Sequence, residues 1–245
     1  MPEVLFCSAS GEEVATDWEH VRADEVVAGL PVRVPPTFRG QRNYPGMFWA
    51  ATDGRDHVYE SLLELEQLWL ADFDLGVVAL ATQPLLIRDA GGDTPRSHVP
   101  DLLLVHADRR VTLVDVKPKQ LLNNQVVADQ FAWTRDLCRR KGWGYRVFCG
   151  ARPVFVRNVR FLASGRRPSS LPPGVLDEAR QALVGGEGVS TLGEAMSSPA
   201  GRGWASQEWM AAITALVWAG ELWADLSRSL GPLTRLSRPQ ERGRR

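Results

Sequence analysis

The sequence contains few of the residues that hold zinc-binding or disulfide-rich domains together. Of its 245 residues, three are cysteine and four are histidine. Cys7, Cys138 and Cys149 are far apart and form no CxxC pair, which argues against a zinc finger and against a disulfide framework. This cysteine pattern favours a reducing compartment, so we expect a cytoplasmic protein.

The chain also lacks an excess of one charge and lacks long apolar runs. It has 29 basic and 29 acidic side chains and a formal net charge of +0. Compact nucleic-acid-binding modules are more often basic, so any affinity for DNA must come from the local distribution of charge. No apolar run reaches the roughly 20 residues of a membrane span, and the segment MPEVLFCSASGEE does not resemble a secretory signal. We therefore expect no membrane partner.

Proline and glycine interrupt residues 1–50, where we expect an irregular N-terminal arm. Its segment PPTFRGQRNYPGMFWA combines Arg39 and Arg42 with aromatic residues, a mixture that suits contact with DNA phosphates and bases. The alternative is a loop folded over the next domain, with the aromatic residues in the core.

The pattern of residues 51–165 alternates between helix and strand. The segments VYESLLELEQLWLADF and LLNNQVVADQFAWTRDLCRRKG predict helices, the second ended by Gly142. Short apolar runs predict strands, and HADRR is short enough to join VPDLLLV and VTLVDVK as an antiparallel hairpin. YRVFCG and PVFVRNV are also expected to be strands. This order predicts an α/β fold with a mixed sheet flanked by helices.

A segment rich in proline, serine and glycine, SGRRPSSLPPG, predicts a linker near residue 165. Residues 166–238 then contain three predicted helices, the second capped by Ser190 or Thr191, followed by a predicted hairpin. This order is typical of a small winged-helix-like domain. Residues 239–245 are expected to form a basic tail.

The chemistry is concentrated at the predicted hairpin. Asp101 begins its first strand, and Asp115 and Lys117 end its second strand on one face, because strand side chains alternate. Two carboxylates, with the carbonyl of Val116, are hard oxygen ligands suited to Mg²⁺ or Mn²⁺. Lys117 would orient the attacking water or offset charge that develops on phosphorus. The pattern predicts metal-dependent cleavage of a phosphodiester.

The preceding helix is expected to supply a further carboxylate. Glu60, Glu64 and Glu66 are the candidates, and Glu64 is favoured because it lies beside the apolar stripe. Lys119, Gln120 and Asn123 follow the active-site strand and are candidates for contact with DNA phosphates; these candidates are chosen from their position in the sequence.

Three further polar residues lie near the hairpin in sequence. His98 precedes its first strand and is expected to be structural, with contact to a phosphate as the alternative. Gln125 and Gln130, on the following helix, are candidates for orienting water. His98 does not form a metal-ligand spacing with any cysteine.

The segments VPDLLLV and LVDVKPK resemble the PD-(D/E)XK nuclease superfamily. More specifically, HVYESLLELEQLWLADFDLGVVALATQPLLI, then PD, then DVKP, resembles the TnsA-type endonuclease subunit of heteromeric transposases over about Arg39–Arg167. The resemblance matches Ser61–Glu64 to the family's S-x-x-E element and Asp115–Lys117 to its D/E/Q-x-K element. It also matches Gln83–Pro84 to the family's QP pair, and we expect Gln83 to contact DNA.

The resemblance implies a restriction-endonuclease-like fold, Mg²⁺ as cofactor and cleavage at the 5′ ends of a transposable element. It implies double-stranded DNA at transposon ends, a DDE-type transposase subunit and an AAA+ ATPase regulator as partners. Two alternatives remain: a nuclease of the same superfamily in phage defence or DNA repair, and a non-catalytic DNA-binding assembly protein. The complete set of Glu64, Asp101, Asp115 and Lys117 argues against the second alternative.

Overall fold

The structure, a computed structural model, describes residues 1–33, 44–91, 95–185 and 191–239. It forms two compact units, Met1–Gly150 and Ala151–Arg245. This division comes at Gly150, whereas the sequence predicted a linker near residue 165. Ser190 and almost all of the predicted basic tail lie outside the described residues.

The first unit contains ten strands and three α-helices in its described residues. They are β1 (Glu3–Cys7), β2 (Glu13–Asp17), α1 (Ala23–Ala28), β3 (Gly46–Trp49), β4 (Asp56–Tyr59), α2 (Leu62–Phe73), β5 (Val77–Thr82), β6 (Leu86–Asp89), β7 (Arg96–His98), β8 (Leu102–His106), β9 (Val111–Val116), α3 (Gln125–Lys141) and β10 (Gly144–Phe148).

One four-stranded sheet has the order β10-β9-β8-β5. The pairs β5–β8 and β8–β9 are antiparallel, whereas β9 and β10 are parallel, so α3 is the crossover that parallel strands require. Helix α2 packs against β5 and β9, and α3 packs against β10. This confirms the predicted hairpin and the mixed α/β architecture, which is consistent with a restriction-endonuclease-like fold. Gly142 ends α3 at φ 77, as predicted.

A second sheet, of order β2-β1-β6-β7, is antiparallel throughout. Its first two strands lie in the segment expected to be irregular, so that expectation is wrong for residues 1–33. The segment EVLFC alternates and buries Val4 and Phe6. The sequence did not predict β1, because its partner β6 comes more than eighty residues later.

The two sheets share one apolar core. Val4 and Phe6 of the second sheet belong to the same buried cluster as Leu103 and Leu113 of the first. Trp18 is 1% exposed in this cluster, and its Nε1–H donates to the carbonyl of Leu137 on α3 at 3.1 Å. The N-terminal residues are therefore built into the unit that carries the hairpin.

The second unit is mainly helical. Its described α-helices and strands are α4 (Pro153–Leu162), α5 (Val175–Arg180), α6 (Leu192–Met196), α7 (Ser206–Trp218), β11 (Trp223–Ala224) and β12 (Leu236–Ser237). The prediction of a strand for PVFVRNV is wrong, because this segment forms α4. Its proline stands in the first helical turn, where no N–H is needed, and Val156, Val159 and Leu162 are buried at a spacing of three.

Helix α7 forms the centre of the second unit, with Trp209, Ile213 and Leu216 almost fully buried. Gly165 lies so close to α7 that a Cβ there would come within 2.1 Å of the Ala215 nitrogen. The predicted order of three helices and a strand pair is present as α5, α6, α7 and β11–β12. The winged-helix class stays a prediction. No helix in the described part of the chain is long and apolar enough to cross a bilayer.

The Trp18→Ala substitution tests whether the N-terminal segment stabilises the first unit. It removes a buried indole and its hydrogen bond, so we expect the free energy of unfolding to fall by about 3–5 kcal/mol. Leu75→Ala is the control because Leu75 is 64% exposed and should change stability little. Chemical denaturation followed by fluorescence measures both variants. Equal stability of the two would show that residues 1–33 are a separate arm.

Candidate active site

The register of the β8–β9 hairpin places two carboxylates opposite each other. Leu102 of β8 pairs with Val114 of β9, so the next positions outward are Asp101 and Asp115. The Val116 N–H donates to Asp101 Oδ2 at 2.6 Å, which anchors this carboxylate at the strand end. Lys117 extends the ladder, since its N–H donates to a carbonyl of β10 at 2.9 Å.

These residues line a cleft of about 330 Å³ in the first unit. Four of the predicted site residues border it, and the other polar groups around it are a guanidinium, an imidazole, a hydroxyl and an amide. The lining includes Asp101, Asp115, Val116, Lys117, Arg33, Ser97, His98 and Gln130. The structure thus brings the predicted acids and lysine together, and it adds Arg33 and His98.

Asp101 occupies an environment that opposes its ionisation. Burial is the main cause and raises the pKa of Asp101 from 3.8 to about 8, assisted by the nearby charges of Glu64 and Asp115. The Val116 N–H and the Lys117 ammonium act in the opposite direction. A cation between the carboxylates would relieve this repulsion.

Asp115 is buried and held by donors from two other strands. The Nε2 atom of His98, on β7, lies 2.9 Å from Oδ1 and 3.0 Å from Oδ2 of Asp115. The Tyr145 hydroxyl, on β10, donates to Oδ2. Burial and the adjacent Asp115 raise the pKa of Tyr145, which keeps its hydroxyl a donor.

Glu64, the predicted helical acid, is placed at the start of α2. Its Oε2 accepts from the Glu60 N–H at 2.9 Å and its Oε1 accepts from the Ser61 hydroxyl at 2.9 Å. Ser61 is the N-cap and accepts from the Glu64 N–H, which is a reciprocal capping arrangement. Burial raises the pKa of Glu64. The charge of Glu64 lies close enough to raise the pKa of Asp101. Both carboxylate oxygens of Glu64 accept hydrogen bonds at the start of α2. Its role as a metal ligand stays a prediction.

Gln83 was expected to contact DNA, but the structure places it in the interior at 1% exposure. Its N–H donates to the Asp101 carbonyl at 2.8 Å, and its carbonyl accepts from Val32 at 2.9 Å. Its side chain donates to Glu60 at 2.5 Å and accepts from Arg33 at 3.2 Å. These bonds hold Gln83 at φ 46, a strained conformation for a residue with a side chain.

Arg33 is a cation that the sequence analysis did not identify. Its guanidinium contacts Glu60 at 2.9 Å and Gln83 at 3.2 Å, and its side chain is 53% exposed at the cleft. The sequence pattern could not identify Arg33, because its partners Glu60 and Gln83 are 27 and 50 residues away along the chain. Anchored at two points, the guanidinium is oriented before any ligand arrives.

Three further predicted DNA contacts, Lys119, Gln120 and Asn123, do not line the described cleft. Lys119, Gln120 and Asn123 are exposed on the turn that follows β9. Arg39 and Arg42 lie outside the described residues. Contact between these five side chains and DNA stays a prediction.

The donor set at the cleft fits a hard divalent ion that binds together with a substrate. Among residues 1–33, 44–91, 95–185 and 191–239, no three His, Cys, Asp or Glu side chains are grouped to hold a metal. Mg²⁺, however, typically uses one or two carboxylates and completes its shell with waters and substrate phosphates. Asp101 and Asp115 satisfy that requirement, with the Val116 carbonyl as a further hard oxygen.

The comparison with known families agrees with this geometry. A family model described as TnsA-like endonuclease N terminal matches residues 75–150, which confirms the resemblance and supports a nuclease. The match includes Asp101, Asp115 and Lys117, whereas Glu64 lies before its first residue. No curated protein matches the chain.

The raised pKa of Asp101 predicts a pH-dependent effect of Asp101→Asn. The unfolded chain ionises this carboxyl near 3.8, so folding of the metal-free protein takes up a proton and stability falls between about pH 4 and pH 8. Asparagine removes that penalty. In EDTA, we expect the stabilisation by Asp101→Asn to grow by up to about 1.4 kcal/mol per pH unit across this window.

Denaturation curves at several pH values measure this dependence. Asp108→Asn is the control, because Arg110 lowers the pKa of the exposed Asp108, and we expect no stabilisation. A gain for Asp101→Asn that is the same at pH 5 and pH 8 would contradict the ionisation penalty.

Proposed function

We propose that this protein is a metal-dependent DNA endonuclease, because residues 75–150 match the family model described as TnsA-like endonuclease N terminal. It would hydrolyse phosphodiester bonds at the 5′ ends of a transposable element, as one subunit of a heteromeric transposase. The observation that carries the proposal is the placement of Asp101 opposite Asp115, with Lys117 bordering the same cleft.

The carboxylates of Asp101 and Asp115, with the Val116 carbonyl, would hold Mg²⁺ or Mn²⁺. A bound ion of this type supplies Lewis-acid polarisation of the scissile phosphate. The Val116 N–H fixes Asp101 from the opposite strand, and His98 and Tyr145 hold Asp115. The acids are therefore positioned before DNA binds.

Lys117 would act on the reacting phosphate. Its ammonium lies close enough to lower the pKa of Asp101, so it shares the electrostatic environment of the metal site. A cation in this position orients the attacking water and offsets the charge that develops on the phosphate oxygens. Arg33, fixed by Glu60 and Gln83, supplies a second cation at the cleft for the DNA backbone.

The neutral charge of the whole chain supports a role inside an assembly. Affinity for DNA at physiological salt comes mostly from neutralised phosphates, and a chain with a net charge of +0 offers little excess positive charge for this. A DDE-type transposase subunit bound at the transposon ends would deliver the DNA, and an AAA+ ATPase regulator would control both enzymes.

The central test is the Lys117→Ala variant. We expect the rate of Mg²⁺-dependent nicking to fall by at least about a hundredfold, because a preorganised positive charge is lost from the transition state. Binding to duplex DNA in Ca²⁺ should change by less than about threefold, since one phosphate contact among several is removed. Lys117 is a better target than Asp115, because removal of the Asp115 carboxylate would leave the buried donors of His98 and Tyr145 without their acceptor.

The matched control is Arg110→Ala, which removes an exposed cation at the turn of the same hairpin. Its nicking rate should equal that of the wild type. Circular dichroism and thermal unfolding establish that both variants are folded. If Lys117→Ala nicked DNA at the wild-type rate, the assignment of Lys117 to the active site would be wrong.

A reconstitution experiment tests the heteromeric role. The isolated protein should nick transposon-end DNA at least about tenfold more slowly than the same protein mixed with the DDE-type subunit, because the partner raises the local concentration of DNA at the cleft. The control uses DNA with scrambled ends. Equally fast and specific cleavage without the partner would favour an independent nuclease.

A further inference from the structure

A continuous set of polar contacts passes through the imidazole of His98. On one side, Nε2 faces both oxygens of the Asp115 carboxylate at 2.9 and 3.0 Å. On the other side, the Gln130 amide nitrogen lies 2.5 Å from Nδ1. Each residue comes from a different element, so the contacts join β7, β9 and α3.

The environment makes these contacts strong and directional. The His98 side chain is 10% exposed and that of Asp115 is 3% exposed. In such a setting a polar group without a partner is strongly destabilising, and hydrogen bonds are less weakened by solvent. Both His98 and Gln130 also line the cleft, so the contacts end at the proposed site of chemistry rather than deep in the core.

The contact with Gln130 selects one form of the ring. An amide N–H is a donor only, so Nδ1 must accept from it. In a neutral imidazole the hydrogen then resides on Nε2, where it can donate only to Asp115. The backbone carbonyl of Gln130 accepts from the Thr134 hydroxyl at 3.0 Å, which ties this residue into its own helix.

The two oxygens of Asp115 are not equivalent. Oδ2 accepts from the Tyr145 hydroxyl and from His98, whereas Oδ1 accepts from His98. A carboxylate oxygen has about two lone-pair sites. Oδ1 therefore retains the acceptor capacity that a cation needs.

We propose that His98 is a positioning residue that, held as the Nε2–H form by Gln130, fixes the rotation of the Asp115 carboxylate so that Oδ1 faces a divalent cation. This inference rests on the proposed function, because it names the support of the same metal site. His98 acts through Asp115 and does not itself contact the substrate.

Two substitutions at His98 separate positioning from simple filling of space. Glutamine places an amide N–H close to the position of Nε2, whereas asparagine places it nearer to that of Nδ1. The readout is the dissociation constant for Mn²⁺, measured on the full-length protein by electron paramagnetic resonance. We expect His98→Asn to weaken binding by about tenfold or more, as for other residues that orient metal ligands. His98→Gln should remain within about threefold of the wild type.

The matched control is His106→Asn, since His106 contacts Thr112 on the same hairpin at 3.1 Å and should leave Mn²⁺ binding unchanged. Equal Mn²⁺ affinity of His98→Asn and the wild type would overturn the inference, as would an equal loss in both His98 variants. Wild-type protein that binds no Mn²⁺, either alone or together with duplex DNA, would overturn the proposed function and the inference together. Wild-type protein that binds Mn²⁺ but nicks no DNA, even with the transposase subunit, would overturn the function alone.

A second measurement does not need a variant at His98. Nitrogen-15 NMR of the metal-free wild type should show the His98 ring protonated at Nε2, with Nδ1 accepting. In Gln130→Met, which keeps the side-chain length but removes the amide, we expect this preference to weaken and the Mn²⁺ affinity to fall by about threefold. A ring whose hydrogen resides on Nδ1 instead of Nε2 would overturn the proposed tautomer.

Discussion

The main physical constraint on the first unit comes from two carboxylates that lie opposite each other at the end of one hairpin, Asp115 buried and Asp101 half-buried. Asp101 and Asp115 repel each other, and burial removes part of their hydration, so each needs donors supplied by the protein. The Val116 N–H serves Asp101, while His98 and Tyr145 serve Asp115. Every one of these donors sits on a strand, which means that the sheets must be correctly aligned before the acids can be accommodated. The repulsion that remains would favour binding of a cation between the two carboxylates.

The buried Gln83 connects these strands to other parts of the first unit. Gln83 connects the backbone at Asp101 to Val32, and its side chain connects Glu60 at the start of α2 to Arg33. One residue in a strained conformation thus fixes the distance between an acid, a helix end and a guanidinium. Strain of this kind persists where surrounding contacts determine it, and it is common at functional sites.

The sequence predicted those features that depend on local pattern. The D-x-K alternation, the short hairpin connection, the periodic helix α2 and the glycine at the end of α3 each depend on residues close together in the chain. The missed features depend on partners far away: β1 needs β6, Arg33 needs Gln83, and His98 needs Asp115. PVFVRNV was assigned wrongly because β-branched residues favour strands, and the burial of its valines on one helical face decided otherwise. Gln83 was recognised as part of a motif, but its burial could not be inferred from neighbouring residues.

The pairing of β1 with β6 also determines the order in which the first unit can fold. Glu3 pairs with Asp17 in a local hairpin, but its other neighbour, Arg88, comes about 85 residues later. The N-terminal hairpin can therefore form early during synthesis, whereas one edge of β1 stays unpaired until β6 emerges. The β8–β9 hairpin follows immediately after β6 and β7, and its buried Leu103 and Leu113 pack in one cluster with Val4 and Phe6. The edge of β1 that pairs with β6 is therefore open to pairing with other strands until β6 is in place.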